Sequence, residues 1–356
     1  MMNEIDQLFT FGKIIHSTNI KSFNFDASPL IGGKKASLNE AINFIKKKIK
    51  KKELHFSNIS CDLKTIDKVL EVSEKNRFSV NHLNQKEINN FYLPFQKFGG
   101  SLVSLNELKN RADLLIIFGG IEEYIFNTFL DFLQWDKRKI SNKIFCVASK
   151  AIKNFKNTII EKDTLSLVNS IMKTNHGNIK EISDRILRSK YPVFILSSSN
   201  KLIENEMILR KLQSLNEEKK NIKIARICGL NNSAGFVTSC VMKSGFPGPL
   251  NFTDWGINYE PYELELSQVI KRKKVQFLIS NFCKKSFDHK FEINISIGIP
   301  SLTNKKMSDI FIPTKTPGID TDGLVLRSDG SKVIKLQRKF KSNYIENYDL
   351  IDKIFS

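Results

Sequence analysis

Asn231 and Asn232, flanked by Gly229 and Gly235 in GLNNSAGF, set two amide side chains where the backbone is free to turn. Such a pair suits hydrogen bonding to a pterin-like or peptide ligand, or holds the turn itself through its own side chains. The segment 229–263 adds Gly245, Gly248 and Gly256, the corners Pro247, Pro249 and Pro261, and the amides Asn251 and Asn258. Proline removes donors and glycine weakens regular elements, so the segment is expected to be a long ordered loop. Loops of that length in compact folds carry function or an interface. His82, a lone histidine, is a candidate for chemistry, with a polar loop residue as the plainer reading. Arg327 with Asp329 is either part of a site or an exposed hairpin charge pair. Gly119-Gly120 would suit a phosphate at a helix N-terminus, but Glu122 and Glu123 follow and would repel an anion. No Ser/His/Asp order, HExxH or Walker pattern appears.

Five cysteines (Cys61, Cys146, Cys228, Cys240, Cys283) are scattered with no CxxC pair and no Cys/His grouping at zinc spacing. Several lie in apolar runs, where a reduced thiol behaves as a small hydrophobe, which points to a cytoplasmic protein. No apolar run approaches bilayer length, and the amino terminus lacks a secretory pattern, so no membrane partner is expected. The net charge of +19 would attract polyanions. Lysine, however, outnumbers arginine by 46 to 10 in a chain rich in Ile, Asn and Phe, which fits an AT-rich coding bias. No RNP-like, zinc-finger or helix-turn-helix pattern supports a nucleic-acid partner.

At 356 residues the chain has room for two domains with substantial cores. Short apolar runs at 54–59, 114–118, 143–148, 192–197, 222–228, 276–280, 293–297 and 309–313 predict buried parallel strands. Helices are expected at 37–50 and from 104, both opened by Ser-x-x-Glu capping boxes, and at 63–74, 122–134, 164–172, 179–188, 204–215 and 261–271. Pro261 is expected in the first turn of its helix. Ser328-Asp-Gly-Ser signals a hairpin, and 344–356 reads as a terminal amphipathic element. The fold class is α/β, doubly wound, with mostly parallel sheets.

LKNRADLLIIFGG (108–120), the 229–263 segment and SDIFIPTKTPGIDTDGLVLRSDG (308–330), with the strand–helix order between them, resemble the B subunit of formylmethanofuran dehydrogenase. They are most similar to the B subunit of the bacterial formyltransferase/hydrolase complex, over about residues 34–340. The resemblance implies a molybdopterin-oxidoreductase-like fold without the iron–sulfur domain. Residues 1–82 and 183–340 would form a discontinuous α/β domain, 84–180 an inserted one and 341–356 a terminal tail. The family's four-cysteine cluster motif has no counterpart, since residues 1–60 hold no cysteine. Its catalytic cysteine is likewise missing between Asn81 and Gly100. The superfamily's Gly-Thr before the late arginine is Gly323-Leu324 here, and its Gly-x-Asn-Pro is Gly119-Gly-Ile-Glu122.

These departures imply a chain with no catalytic residue, no metal, no molybdopterin and no iron–sulfur cluster. The complex would carry formyl from tetrahydromethanopterin to a methanofuran-like carrier and release formate in one-carbon metabolism. Its partners would be amidohydrolase-like, formyltransferase and C subunits. A redox-active molybdenum or tungsten chain of the formylmethanofuran dehydrogenase type is the alternative. Remnant-pocket or carrier candidates are Asn231, Asn232, Gly235, Lys284, Lys285 and Arg327. Lys284 and Lys285 follow a strand and so fall near the carboxyl edge where ligands bind, to meet a polyglutamate tail if the carrier has one.

Overall fold

The structure, a computed structural model, describes residues 10, 23–50, 52–119, 123–135, 143–148, 158–160, 168, 171, 177–197, 200–218, 221–226, 230–272, 274–282, 291–300 and 308–356. The chain divides into two compact units. The first comprises Met1–Gln85, Leu230–Arg327 and Lys332–Ser356; the second comprises Lys86–Gly229 and Ser328–Ser331.

In the first unit, Ser37 opens helix α1 (Leu38–Ile49). Its hydroxyl accepts from Glu40 N at 3.2 Å while the Glu40 carboxylate accepts from Ser37 N at 2.7 Å. The chain then enters β3 (Leu54–Ser60), buried at every position, and returns through α2 (Leu63–Asn76) to the parallel neighbour β4 (Ser79–His82). On the other side of β3 lie β13 (Val275–Ser280), β14 (Ile293–Gly298) and β15 (Ile310–Pro313), all parallel to it. The sheet is completed at one edge by β1 (Leu30–Ile31) and β2 (Lys34–Lys35), and at the other by the antiparallel hairpin β11 (Leu250–Thr253) and β12 (Gly256–Tyr259). Phe277 lies opposite Phe56 in the β13–β3 register, with ring centroids 5.2 Å apart. The terminal helix (Asn347–Phe355) drives Phe355 against Phe56, Phe78 and Phe277. Of these rings Phe56 and Phe277 are fully buried, each contributing about 2 kcal/mol, while Phe78 and Phe355 are half-buried. Residues 341–356 therefore belong to the first unit rather than forming a separate tail.

The second unit carries a six-stranded, all-parallel sheet in the order β5 (Leu102–Val103), β10 (Lys223–Arg226), β9 (Pro192–Leu196), β6 (Leu114–Phe118), β7 (Ile144–Ala148), β8 (Thr158–Ile160). Its helices include α3 (Gln85–Phe98), which contains Pro94, and the Ser104-capped Leu105–Arg111. Strands β9 and β10 pair with each other, and β9 pairs with β6, so the return to the first unit lies at Gly229–Leu230. The boundary expected near 180–183 is corrected accordingly. Strand pairing is non-local, and the apolar runs at 192 and 222 do not reveal which sheet receives them.

The 229–263 segment is also corrected. It is not a loop: Ser233–Ser244 is a helix (α8), followed by a turn and the β11–β12 hairpin. Helix Leu266–Arg272 starts later than expected, and Pro261 lies in the turns before it, where Leu264 N donates to Glu260 O. The hairpin expected around Asp329-Gly330 is present as β16 (Gly323–Leu326) and β17 (Val333–Leu336). Most of the helix expected at 164–172 lies outside the described residues. No described helix is long and apolar enough to cross a membrane.

Candidate functional site

Open α/β sheets bind ligands outside the carboxyl ends of the strands, where the strand order reverses. In the first unit β3 leads to β4 on one side, while β13 lies on the other, so the reversal falls between β3 and β13. Ser60, the last residue of β3, offers its carbonyl to both Asn281 N (2.9 Å) and Phe282 N (3.2 Å), tying the two strand ends together. The next carbonyl, that of Cys61, accepts from Asn232 Nδ2 at 2.8 Å, and Asn232 Oδ1 accepts from Leu326 N at 2.8 Å. Asn232 is itself buried and sits in the left-handed region, at φ 63°. Gly235 follows within the first turn of α8; a Cβ there would lie 2.7 Å from Asn232 Nδ2, so glycine is needed for the amide to reach its partners.

The neighbouring Asn231, also left-handed at φ 57°, donates through Nδ2 to Asn84 Oδ1 at 3.1 Å. Its carbonyl accepts from His82 Nε2 (3.1 Å), while His82 Nδ1 accepts from Asn84 N (2.9 Å). That second bond makes Nδ1 the acceptor and places the proton on Nε2. His82 ends strand β4, fully buried, its ring 5.4 Å from that of Phe236. Burial pushes its pKa down to about 4 against the opposing pull of the Asn231 carbonyl. It is therefore a neutral, doubly bonded core group, neither a loop residue nor an available base.

Four sequence candidates thus converge at one place, and what they hold is the chain itself. Arg327 is corrected too: at 1% exposure it ranks first by volume among the fully buried side chains of the described residues, and is not half of an exposed hairpin pair. The Asp329 carboxylate accepts from Leu105 N (2.9 Å) and Ser331 Oγ (2.7 Å). Lys284 and Lys285 lie outside the described residues, as do Cys228 and Cys283. The thiols of Cys61, Cys146 and Cys240 are all pushed up by burial, so none is a ready thiolate. Among the described residues no group of three or more His, Cys, Asp or Glu is placed to hold a metal ion.

The second unit repeats the closure with different residues. Its strand order reverses between β6 and β9. Beyond their carboxyl ends, Asn200 Nδ2 donates to Phe118 O (3.1 Å) and to Asn205 Oδ1 (3.0 Å). Asn90 Nδ2 donates to Asn200 O and Asn205 Nδ2 to Asn90 O, both at 2.9 Å. Gly119 has φ 94°, and a Cβ on it would lie 2.9 Å from Asn200 Cγ and 2.8 Å from Ser197 Cβ. Neither Asn90, Asn200 nor Asn205 stands out in the sequence. The available signal was an asparagine closing the polar run after a strand, just ahead of helix Leu202–Glu217. Replacing Asn200 by Ala is expected to cost about 1–2 kcal/mol, since Asn205 Oδ1 loses the buried donor that Asn200 gives it, while the Phe118 carbonyl keeps only the Ser197 N–H. Hydrogen exchange of the second-unit sheet checks this; protection unchanged at β6 would refute it.

An open cleft of about 700 Å³ also exists in the first unit, bounded by residues 25–29, 36–38, Pro313 and 341–345. None of Asn231, Asn232, Gly235 or Arg327 lines it.

No protein-family model and no curated protein matches the sequence. The fold, in contrast, is similar to that of a chain of the formyltransferase/hydrolase complex (FhcABCD) from Methylorubrum extorquens, a structure in complex with methylofuran. The TM-score is 0.79 at 10% identity, covering 92% of this chain and 98% of that one. A more distant likeness is to acetylene hydratase from Pelobacter acetylenicus, with TM-score 0.50 and 10% identity over 94% of this chain and 61% of that one. At such identities what is shared is the fold, mixed α/β with parallel sheets.

Proposed function

We propose that this chain is a non-redox structural subunit of a hetero-oligomeric complex of the formyltransferase/hydrolase kind, with the chemistry carried by companion chains. The observation that carries this reading is the closure of both carboxyl-edge crevices by the chain's own asparagines, Asn232 in the first unit and Asn200 in the second. A chain that held a pterin cofactor would keep at least one such crevice open. The likeness over nearly the whole length of a chain from such a complex supports the type of assembly. On this reading the companions include amidohydrolase-like and formyltransferase chains, and the carrier is methanofuran-like. Asn231, Asn232, Gly235 and Arg327 then act as framework rather than as carrier contacts.

The test is affinity purification of the tagged chain from its native cells, with companion chains identified by mass, metals measured and formate release assayed. Companions of the two named types, with no stoichiometric molybdenum, tungsten or iron on this chain, are expected. Stoichiometric metal with a pterin-derived fluorophore would replace this reading with the redox-active one. A chain that purifies alone as a stable monomer would remove the assembly.

A further inference from the structure

We propose that the outer edge of β12 receives an extended segment of a companion chain bearing Lys or Arg, which joins the first-unit sheet as a further strand. This rests on the assembly reading above and names its docking edge and the chemistry of what docks. β12 ends the sheet order, and no other described strand faces its outer side. Natural edges are usually blunted by lysine, proline or a bulge; Gly256–Tyr259 contains neither residue, and its register with β11 is regular. Aromatic groups flank it at both ends. Trp255, in the hairpin turn, is 97% exposed, and at the base Tyr259 stacks on Phe246 with centroids 5.1 Å apart and planes 10° from parallel. Four residues span about 13 Å, the length of a short added strand.

Charge selects the occupant. From Ser244 to Ile270 the sequence holds no Lys or Arg, in a chain with 56 of them, while it holds Asp254, Glu260, Glu263 and Glu265. Asp254 is paired with Arg77, whereas Glu263 and Glu265 are exposed. Pairing this edge with the same edge of a second copy would bring carboxylates together, which is unfavourable. A cationic strand gains both the ladder hydrogen bonds and the field of the carboxylates.

Trp255 reports the event directly, because Trp135 is the only other tryptophan. In full-length protein carrying Trp135→Phe, the probe is the peptide Lys-Val-Lys-Val-Lys-Val-Lys, with its glutamate counterpart as control. A saturable blue shift of Trp255 emission is expected with the lysine peptide alone. Glu263→Lys with Glu265→Lys should weaken it by about tenfold or more, equal to about 1.4 kcal/mol. In a two-residue hairpin the pair flanking the turn is hydrogen-bonded, so Ile257 directs its N–H outward. Ile257→Pro should therefore abolish the shift while leaving the hairpin ladder intact. No shift, an equal shift with the glutamate peptide, or a peptide-independent shift that tracks self-association in sedimentation would each overturn the proposal. Companion chains that co-purify equally well with the charge-reversed variant would also remove this edge, yet leave the assembly reading standing. Peptide binding by a chain that purifies alone would do the reverse.

Discussion

Asn232→Ala is expected to lower the stability of the first unit by about 4 kcal/mol. The carbonyl of Cys61 and the N–H of Leu326 each lose a buried partner, at about 1–3 kcal/mol apiece. Alanine must also occupy the left-handed φ of 63°, which adds about 1–2 kcal/mol. Asn231→Ala gives up only a side chain bond to another side chain, Asn84 Oδ1, plus the same backbone strain, and should cost no more than about half as much. Denaturant unfolding combined with hydrogen exchange at β3 and β16 reads both. The contrast matters more than either value. Were the two asparagines a ligand-grasping pair, their loss would leave stability nearly intact and act on ligand affinity instead. Equal, small stability effects would thus restore them as a binding site.

The second expectation concerns acid. His82 has a folded pKa of about 4 against an ordinary value of 6.5, so the unfolded chain binds the proton more readily. The stability it contributes is complete above pH 6.5 and is lost as pH falls toward 4. The slope approaches 1.4 kcal/mol per pH unit, for a total of about 3 kcal/mol. The carboxyls of Asp62 and Asp320, raised above their ordinary range by burial, act with the opposite sign at the acid end of that window. The diagnostic quantity is therefore the difference between wild type and His82→Gln. The variant should be less stable at pH 7.5 but show a shallower fall between pH 6.5 and 4.5. Parallel curves would mean that His82 titrates in the folded chain as it does in the unfolded one, and so lies open to solvent.

Several features of this chain are local and were legible in the sequence. The Ser37 and Ser104 caps depend on residues three apart, and both form. The apolar runs that open at Leu114 and Pro192 need no partner to be recognised as buried strands, and they are. The terminal amphipathic stretch is a helix with Leu350, Ile351 and Ile354 inward. Other features could be decided only by what lies across space. Gly235 argued against a helix, yet α8 contains it because a side chain there would collide with Asn232. Helix α3 forms with Pro94 inside it, which local propensity counts against a helix because it weighs a residue without its neighbours. The short β4 offers four residues and no alternation, and it exists because β3 and β11 lie on either side of it. The second crossing between units depends on β9 and β10 joining the sheet of β6, pairings remote in sequence.

The candidate site shows the same division. That Asn231, Asn232, Gly235 and His82 matter was visible in their types and spacing. Whether an amide binds a ligand or its own chain depends on which carbonyl lies within about 3 Å of it. For Asn232 that carbonyl belongs to Cys61, and for Asn200 to Phe118, both far away along the chain. Tertiary structure alone brings them together, because a hydrogen bond is a relation between two places and the sequence specifies each of them separately.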